Sequence, residues 1–216
     1  MFLIYKLKHP FFERYKTTLN KWPWEENYDQ WIQLLKKTIK LLFLNHFILL
    51  PLVLLPFYLK DTCPMNTTYE DLPTNAIEIM VQILFFILCE DFGFYFSHRL
   101  LHVKWLYPYI HKIHHTYRQV VSISAEYAHP VEFIISNSLT TSLGPFILGN
   151  RTHLFTYLLW IIIRVGETAD GHCGYEFSWS PYRLLFMSAS EDFHNFHHLY
   201  FRDNYGSFFT FWDRIS

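Results

Sequence analysis

Residues 76–102 read AIEIMVQILFFILCEDFGFYFSHRLLH, and the reading of this stretch decides the fold. From Ala76 to Phe96 it is almost wholly apolar. As a helix this run has the length that crosses a bilayer, which takes about 20 residues. It continues directly into His98 and His102, an i, i+4 pair that shares one helix face. Paired imidazoles at the end of a membrane helix are the beginning of a metal site at a membrane surface. Glu90 and Asp91 lie within the same run shortly before His98. Charge is costly at membrane depth, so ionisable residues there have a functional reason, and these two are the first candidates to orient imidazole N–H groups.

Working outward, Leu41–Leu59 reads LLFLNHFILLPLVLLPFYL, again of spanning length. Its prolines Pro51 and Pro56 are kinks of the kind membrane helices tolerate. Two further apolar runs, Val131–Leu148 and Leu154–Val165, are joined by GNRT at 149–152. The last is short for a full span, so this pair reads either as two spans or as a re-entrant hairpin. Residues 1–38 mix aromatic and charged side chains, with KWPWEENYDQW an interfacial stretch before an amphipathic helix, and 60–75 form a polar, turn-rich connection. The expected organisation is an N-terminal interfacial segment, 1–40, and a membrane domain, 41–216. The expected fold is all-α: a polytopic integral membrane protein with about four transmembrane or re-entrant helices and a cytosolic histidine-rich helical cap.

Composition agrees. The chain has 216 residues, 51% hydrophobic and 20% aromatic, but only 17% charged. A water-soluble domain carries about a quarter charged residues. A net charge of −1 gives no footing for nucleic acid. Cys63, Cys89 and Cys173 are odd in number and widely spaced, which fits free thiols rather than a disulfide framework or a zinc-binding pair. No secretory signal peptide is expected, because MFLIYKLKHPFF is short and interrupted by Lys6 and Lys8. Lys36, Lys37 and Lys40 precede the first span, whereas the next loop sets Lys60 against Asp61, Glu70 and Asp71. The positive-inside rule then places the N-terminus and every clustered histidine on the cytosolic side. The sequons at Asn66 and Asn150 fall in loops on the other side, a weak concordance.

Thirteen histidines are the anomaly of the composition. Three clusters stand out: HRLLH (His98, His102), HKIHH (His111, His114, His115) and HNFHH (His194, His197, His198). The last two repeat an i, i+3, i+4 pattern, so on a helix each would aim its imidazoles at one point. Tyr107-Pro108 supports a helix starting just ahead of His111. Eight imidazoles exceed the four ligands of one tetrahedral zinc, so two metal ions with four or five nitrogens each are expected. His129 and His172, at the ends of apolar segments, are further ligand candidates. His9, His46 and His153 read as interfacial or hydrogen-bonded residues. Imidazole suits zinc, copper, iron and nickel alike, so the ligands leave the metal open. Phe92, Phe94, Tyr95, Tyr109 and Phe196 are expected to line part of a lipid pocket beside the site.

At these residues the chain resembles the fatty acid hydroxylase/sterol desaturase superfamily, and within it the C-4 methylsterol monooxygenases. The stretches that carry the resemblance are HRLLH, YPYIHKIHH, AEYAHPVE, ETADGHCGYEFSWSP, HNFHH and NYGSFFTFWDRI, in family order over about residues 85–215. The resemblance implies a membrane enzyme of the endoplasmic reticulum whose cytosolic cap holds two irons. It implies ligation by His98, His102, His111, His114, His115, His194, His197 and His198, with His172 and then His129 added, and no catalytic side chain beyond these ligands. It further implies O2 as oxidant, electrons from NAD(P)H through cytochrome b5 and its reductase, and a lipid substrate oxidised at a C–H bond, foremost the 4-methyl group of a sterol. Three departures are visible. Asn195 stands where sterol-oxidising relatives often carry an acid, and Val103 where some carry another histidine. Relatives also continue past FWDRI, so a C-terminal retention signal or substrate-contacting tail of that family lies outside these 216 residues.

Three other readings compete: a fatty-acyl or sphingolipid hydroxylase or desaturase of the same superfamily, a catalytically silent membrane protein with a structural zinc site, and a metal transporter. The transporter predicts ligands spread through the spans, whereas the histidines cluster outside them.

Overall fold

The structure is a computed structural model and describes residues 2–18, 20–59 and 63–216; Lys60 and Asp61 of the expected 60–75 connection lie outside them. The described residues form helices, turns and isolated bridges, with no β-sheet. Among the described residues, three helices are long and apolar enough to cross a membrane: a first span, Tyr28–Pro56, a second, Ala76–Leu101, and a third, Pro130–Arg151. Their exposed faces carry large apolar side chains, among them Phe47, Leu52, Met80, Leu84 and Ile147. Such faces belong against lipid rather than water.

The first span starts earlier than its apolar run. Asn27 caps it by accepting from the Gln30 N–H at 3.0 Å. The amphipathic helix from Tyr28 to Phe43 then continues through a π-helical stretch, Leu44–Leu49, into Leu50–Leu59. The expected boundary at residue 40 falls inside this continuous helix. Aromatic residues of the N-terminal segment fold onto the cap: Tyr5, Trp22, Tyr117, Tyr127, Tyr175 and Phe177 share one core. Tyr5 donates its hydroxyl to the Cys173 carbonyl at 2.8 Å, and Tyr175 donates to Glu13 at 2.8 Å.

Asn75 caps the second span through the Ile77 N–H. The third begins at His129, whose Nδ1 accepts from the Val131 N–H at 3.1 Å, and contains a second π-helical stretch, Phe133–Leu139. These two spans pack closely at Gly144, where a Cβ would sit 2.9 Å from the Phe86 Cα. A small residue is what lets two membrane helices approach this far. The fourth helix, Leu154–Gly171, is capped by His153 and runs beyond the expected Val165 as one 18-residue helix. It carries Arg164, Glu167 and Asp170 in its second half, which separates it from the three apolar spans. The chain then crosses the cap and forms the helix Glu191–Tyr200, capped by the Ser190 hydroxyl and ended by Phe201 in the left-handed conformation (φ 59°). All three cysteines are free.

Candidate metal centre

Nine of the ten histidines singled out above meet in two groups. The potential ligand nitrogens of His98, His102, His111, His115 and His197 form one group, and those of His114, His172, His194 and His198 a second; within each group they lie within 4.8 Å of one another. Either group could hold a metal ion. The expectation that each i, i+3, i+4 triad aims at a single point is corrected. His111 and His115 turn to the first group and His114 to the second, whereas His194 and His198 turn to the second and His197 to the first. The two triads are exchanged crosswise, so each triad bridges both groups, whereas His98 and His102 both belong to the first. The expected helix at Tyr107-Pro108 is also absent: turns lead to a 3-10 helix, His111–Thr116.

Hydrogen bonds fix how the rings face. His98 donates from Nδ1 to the Tyr205 carbonyl at 3.0 Å, His197 to Asp203 at 2.8 Å, His198 to Tyr117 at 3.1 Å and His172 to Thr168 at 2.8 Å. His111 donates from Nδ1 to Glu132 Oε1 at 2.9 Å. With Nδ1 protonated, Nε2 of a neutral imidazole carries the lone pair, the tautomer a metal needs. Burial keeps the rings neutral: it depresses His102 to about 3 and His172 and His197 to about 4. His111, His114, His194 and His198 are held well below the ordinary value, chiefly by burial and then by neighbouring imidazoles.

These nitrogens fit a cation. Nε2 of His98 and Nε2 of His111 are 3.0 Å apart although both carry lone pairs, and Nε2 of His197 is buried with no hydrogen-bond partner among the described residues. In the second group His172 and His194 approach to 2.9 Å and His194 and His198 to 3.1 Å. Nitrogens bound to one ion at about 2.1 Å lie about 3.0 Å apart at a right angle. The donor sets therefore match a metal's coordination edges, and without a positive charge between them the lone pairs would repel.

The structure does not bring His129 to either group; its imidazole caps the third span instead. Glu90 and Asp91 do not touch the histidines, which corrects their expected orienting role. Arg164 donates to Glu90 at 2.7 Å and to Glu167 at 2.9 Å, and the Phe209 N–H donates to Asp91 at 2.9 Å. They tie the second span to the fourth helix and the C-terminal segment. Glu132 fills the orienting role instead, because only the third span brings a carboxylate against His111.

A cavity of about 190 Å³ opens onto both groups, with His98, His111, His114, His172 and His194 at its walls and Phe94, Phe133, Ile161 and Val165 along its sides. Of the five aromatics expected there, Phe94 alone lines it. Tyr95 is buried against Tyr205 and Trp212, while Phe92, Tyr109 and Phe196 face outward. His46, hydrogen-bonded as expected, also lines the cavity together with Glu126, which it meets at 3.3 Å, and neither was expected there. The signal was present: His46 is an ionisable residue within an apolar run.

A family model described as fatty acid hydroxylase matches residues 83–216. Methylsterol monooxygenase 2-2 of Arabidopsis thaliana is 42% identical over 183 residues, covering 83% of this chain and 67% of that protein. Methylsterol monooxygenase 1 of Gallus gallus is 36% identical over 208 residues, covering 95% and 66%. Very-long-chain aldehyde decarbonylase GL1-11 of Oryza sativa subsp. japonica is 45% identical over 138 residues, covering 62% and 51%. The chain thus spans from about half to two thirds of the length of these relatives. No solved structure matches it.

Proposed function

Since the chain belongs to the fatty acid hydroxylase family, we propose that it is a membrane di-iron oxygenase that oxidises a lipid C–H bond with O2, foremost the 4-methyl group of a sterol. The observation that carries this reading is the pairing of two neutral imidazole groups with a cavity that reaches both. In this reading His98, His102, His111, His115 and His197 hold one iron, and His114, His172, His194 and His198 the other. The irons supply O2 activation, which side-chain acid–base chemistry cannot provide for an unactivated C–H bond. The chain's own part is to hold, orient and dry the site. Burial keeps all nine nitrogens unprotonated. Backbone carbonyls and Glu132 fix the tautomers. The apolar walls from Phe94 to Val165 exclude water and receive the reacting end of the substrate. At about 190 Å³ the cavity is smaller than the few hundred Å³ that enclose a whole ligand, so the rest of the lipid remains toward the bilayer.

The methylsterol monooxygenase relatives favour a sterol. A second reading, a long-chain aldehyde or acyl substrate, is favoured by the decarbonylase relative. Electrons from NAD(P)H through cytochrome b5 and its reductase, the endoplasmic reticulum, and a cytosolic cap complete the proposal; Lys36, Lys37 and Lys40, on the amphipathic part of the first span ahead of its apolar run, support that orientation.

Purified protein should contain about two irons per chain and take up O2 with reductant; zinc alone, with no uptake, would overturn the reading in favour of a structural site. Cells lacking the protein should accumulate 4,4-dimethyl or 4-methyl sterols. Accumulated long-chain aldehydes or a deficit of hydroxylated acyl chains, with sterols unchanged, would move the substrate to the second reading.

A further inference from the structure

His46 stands in the π-helical stretch of the first span, and Phe133 and Asn137 in that of the third; all three line the cavity. A π-helical stretch is uncommon and concentrates at functional sites, and here two of them face one cavity. Its effect is to turn polar groups inward from helices that are otherwise apolar. The first of these is held in place on several sides. Asn45, fully buried, donates to the Ala128 carbonyl at 2.9 Å, and the His46 ring packs against Phe133 with centroids 4.8 Å apart. His46 Nδ1 contacts the Leu42 carbonyl at 3.1 Å, so Nε2 is the nitrogen that meets Glu126 Oε2 at 3.3 Å. Neither side chain is sealed off: 34% of His46 and 24% of Glu126 remain accessible, in a cavity that both line.

We infer that His46 and Glu126 are the point that recognises a hydroxyl on the substrate and so decides which carbon faces the histidines. The inference rests on the sterol reading above. In a 4-methylsterol the reacting methyl and the hydroxyl sit on adjacent ring carbons, so a contact that grips the hydroxyl must share a cavity with the oxidising site. An alcohol both donates and accepts. An imidazole nitrogen beside a carboxylate oxygen offers it one partner of each kind, whichever of the two holds the proton. A site built to bond a hydroxyl also rejects an analogue that lacks it, because its own polar groups are left unpaired.

The test compares a 3-hydroxy-4-methylsterol with its 3-deoxy analogue in membranes containing the full chain, as wild type, His46→Leu or Glu126→Met, with iron content measured alongside. Wild type is expected to favour the hydroxylated compound by at least about 100-fold in kcat/KM. Both variants should retain iron, and the preference should collapse to a few-fold, mainly through a raised KM for the hydroxylated compound. If His46→Leu does not accumulate, Glu126→Met, which keeps the side-chain length but neither donates nor accepts as a carboxyl does, carries the comparison alone. Variants that keep the wild-type preference overturn this inference and leave the sterol reading standing. Wild type that oxidises neither compound overturns the sterol reading and this inference with it.

Discussion

The Nδ1–H of His111 reaches Glu132 at 2.9 Å between two side chains that are almost completely buried. A carboxylate in that position holds the ring in one tautomer and makes Nε2 a better donor to a cation. Glu132→Ala should therefore weaken metal binding by about 10- to 100-fold, and Glu132→Gln, which can still accept the N–H, by less. Chelator competition on the purified protein measures this. Equal, unchanged affinity in both variants would show that Glu132 serves packing alone. Its role was hidden in the sequence, where nothing sets Glu132 apart from the other carboxylates. Glu90 and Asp91 looked better placed only because they share a helix with His98.

Among the elements, the contact between second and third spans depends on Gly144. A side chain there meets the Phe86 backbone, which cannot swing away as a side-chain tip can. Gly144→Val should cost about 1–3 kcal/mol by overpacking and lower the unfolding temperature in detergent by several degrees. An unchanged transition would sink this account of the packing. The spans themselves were legible as apolar runs, because a helix in lipid satisfies its own backbone. Their starts were less so. Asn27 begins the first span well before the apolar residues do, since an amphipathic turn lies at the interface. The π-helical stretches left no mark in the periodicity, and they set what faces the cavity.

For the whole molecule, eight buried imidazoles and the half-buried His102 link folding to pH. An unfolded histidine titrates near 6.5, whereas in the fold His102 is depressed to about 3 and His172 and His197 to about 4. A depressed histidine contributes its stability in full above the unfolded value and loses it as pH falls from about 6.5 toward the folded one. Those three alone amount to about 4 kcal/mol per pH unit in that window. Glu191 and Glu167, both raised to about 8 by burial, oppose the trend, as do Asp170, Asp192 and Asp213, which burial also raises; the further depressed imidazoles of His111, His114, His194 and His198 offset them. Metal-free protein should therefore lose its thermal transition between about pH 6.5 and 5, and bound metal should delay the loss. A transition unchanged at pH 5 in the presence of chelator would show that the imidazoles are not neutral in the fold.

The sequence by itself determined the apolar spans, the count of imidazoles and the two repeated triads, because each depends on neighbours within a few residues. The tertiary structure decided the rest. Spacing placed His111, His114 and His115 on one face, yet a 3-10 turn divides them between two groups. Choosing Glu132 over Glu90, leaving His129 as a cap, and pairing His46 with Glu126 all depend on contacts between distant segments, set by how the spans pack.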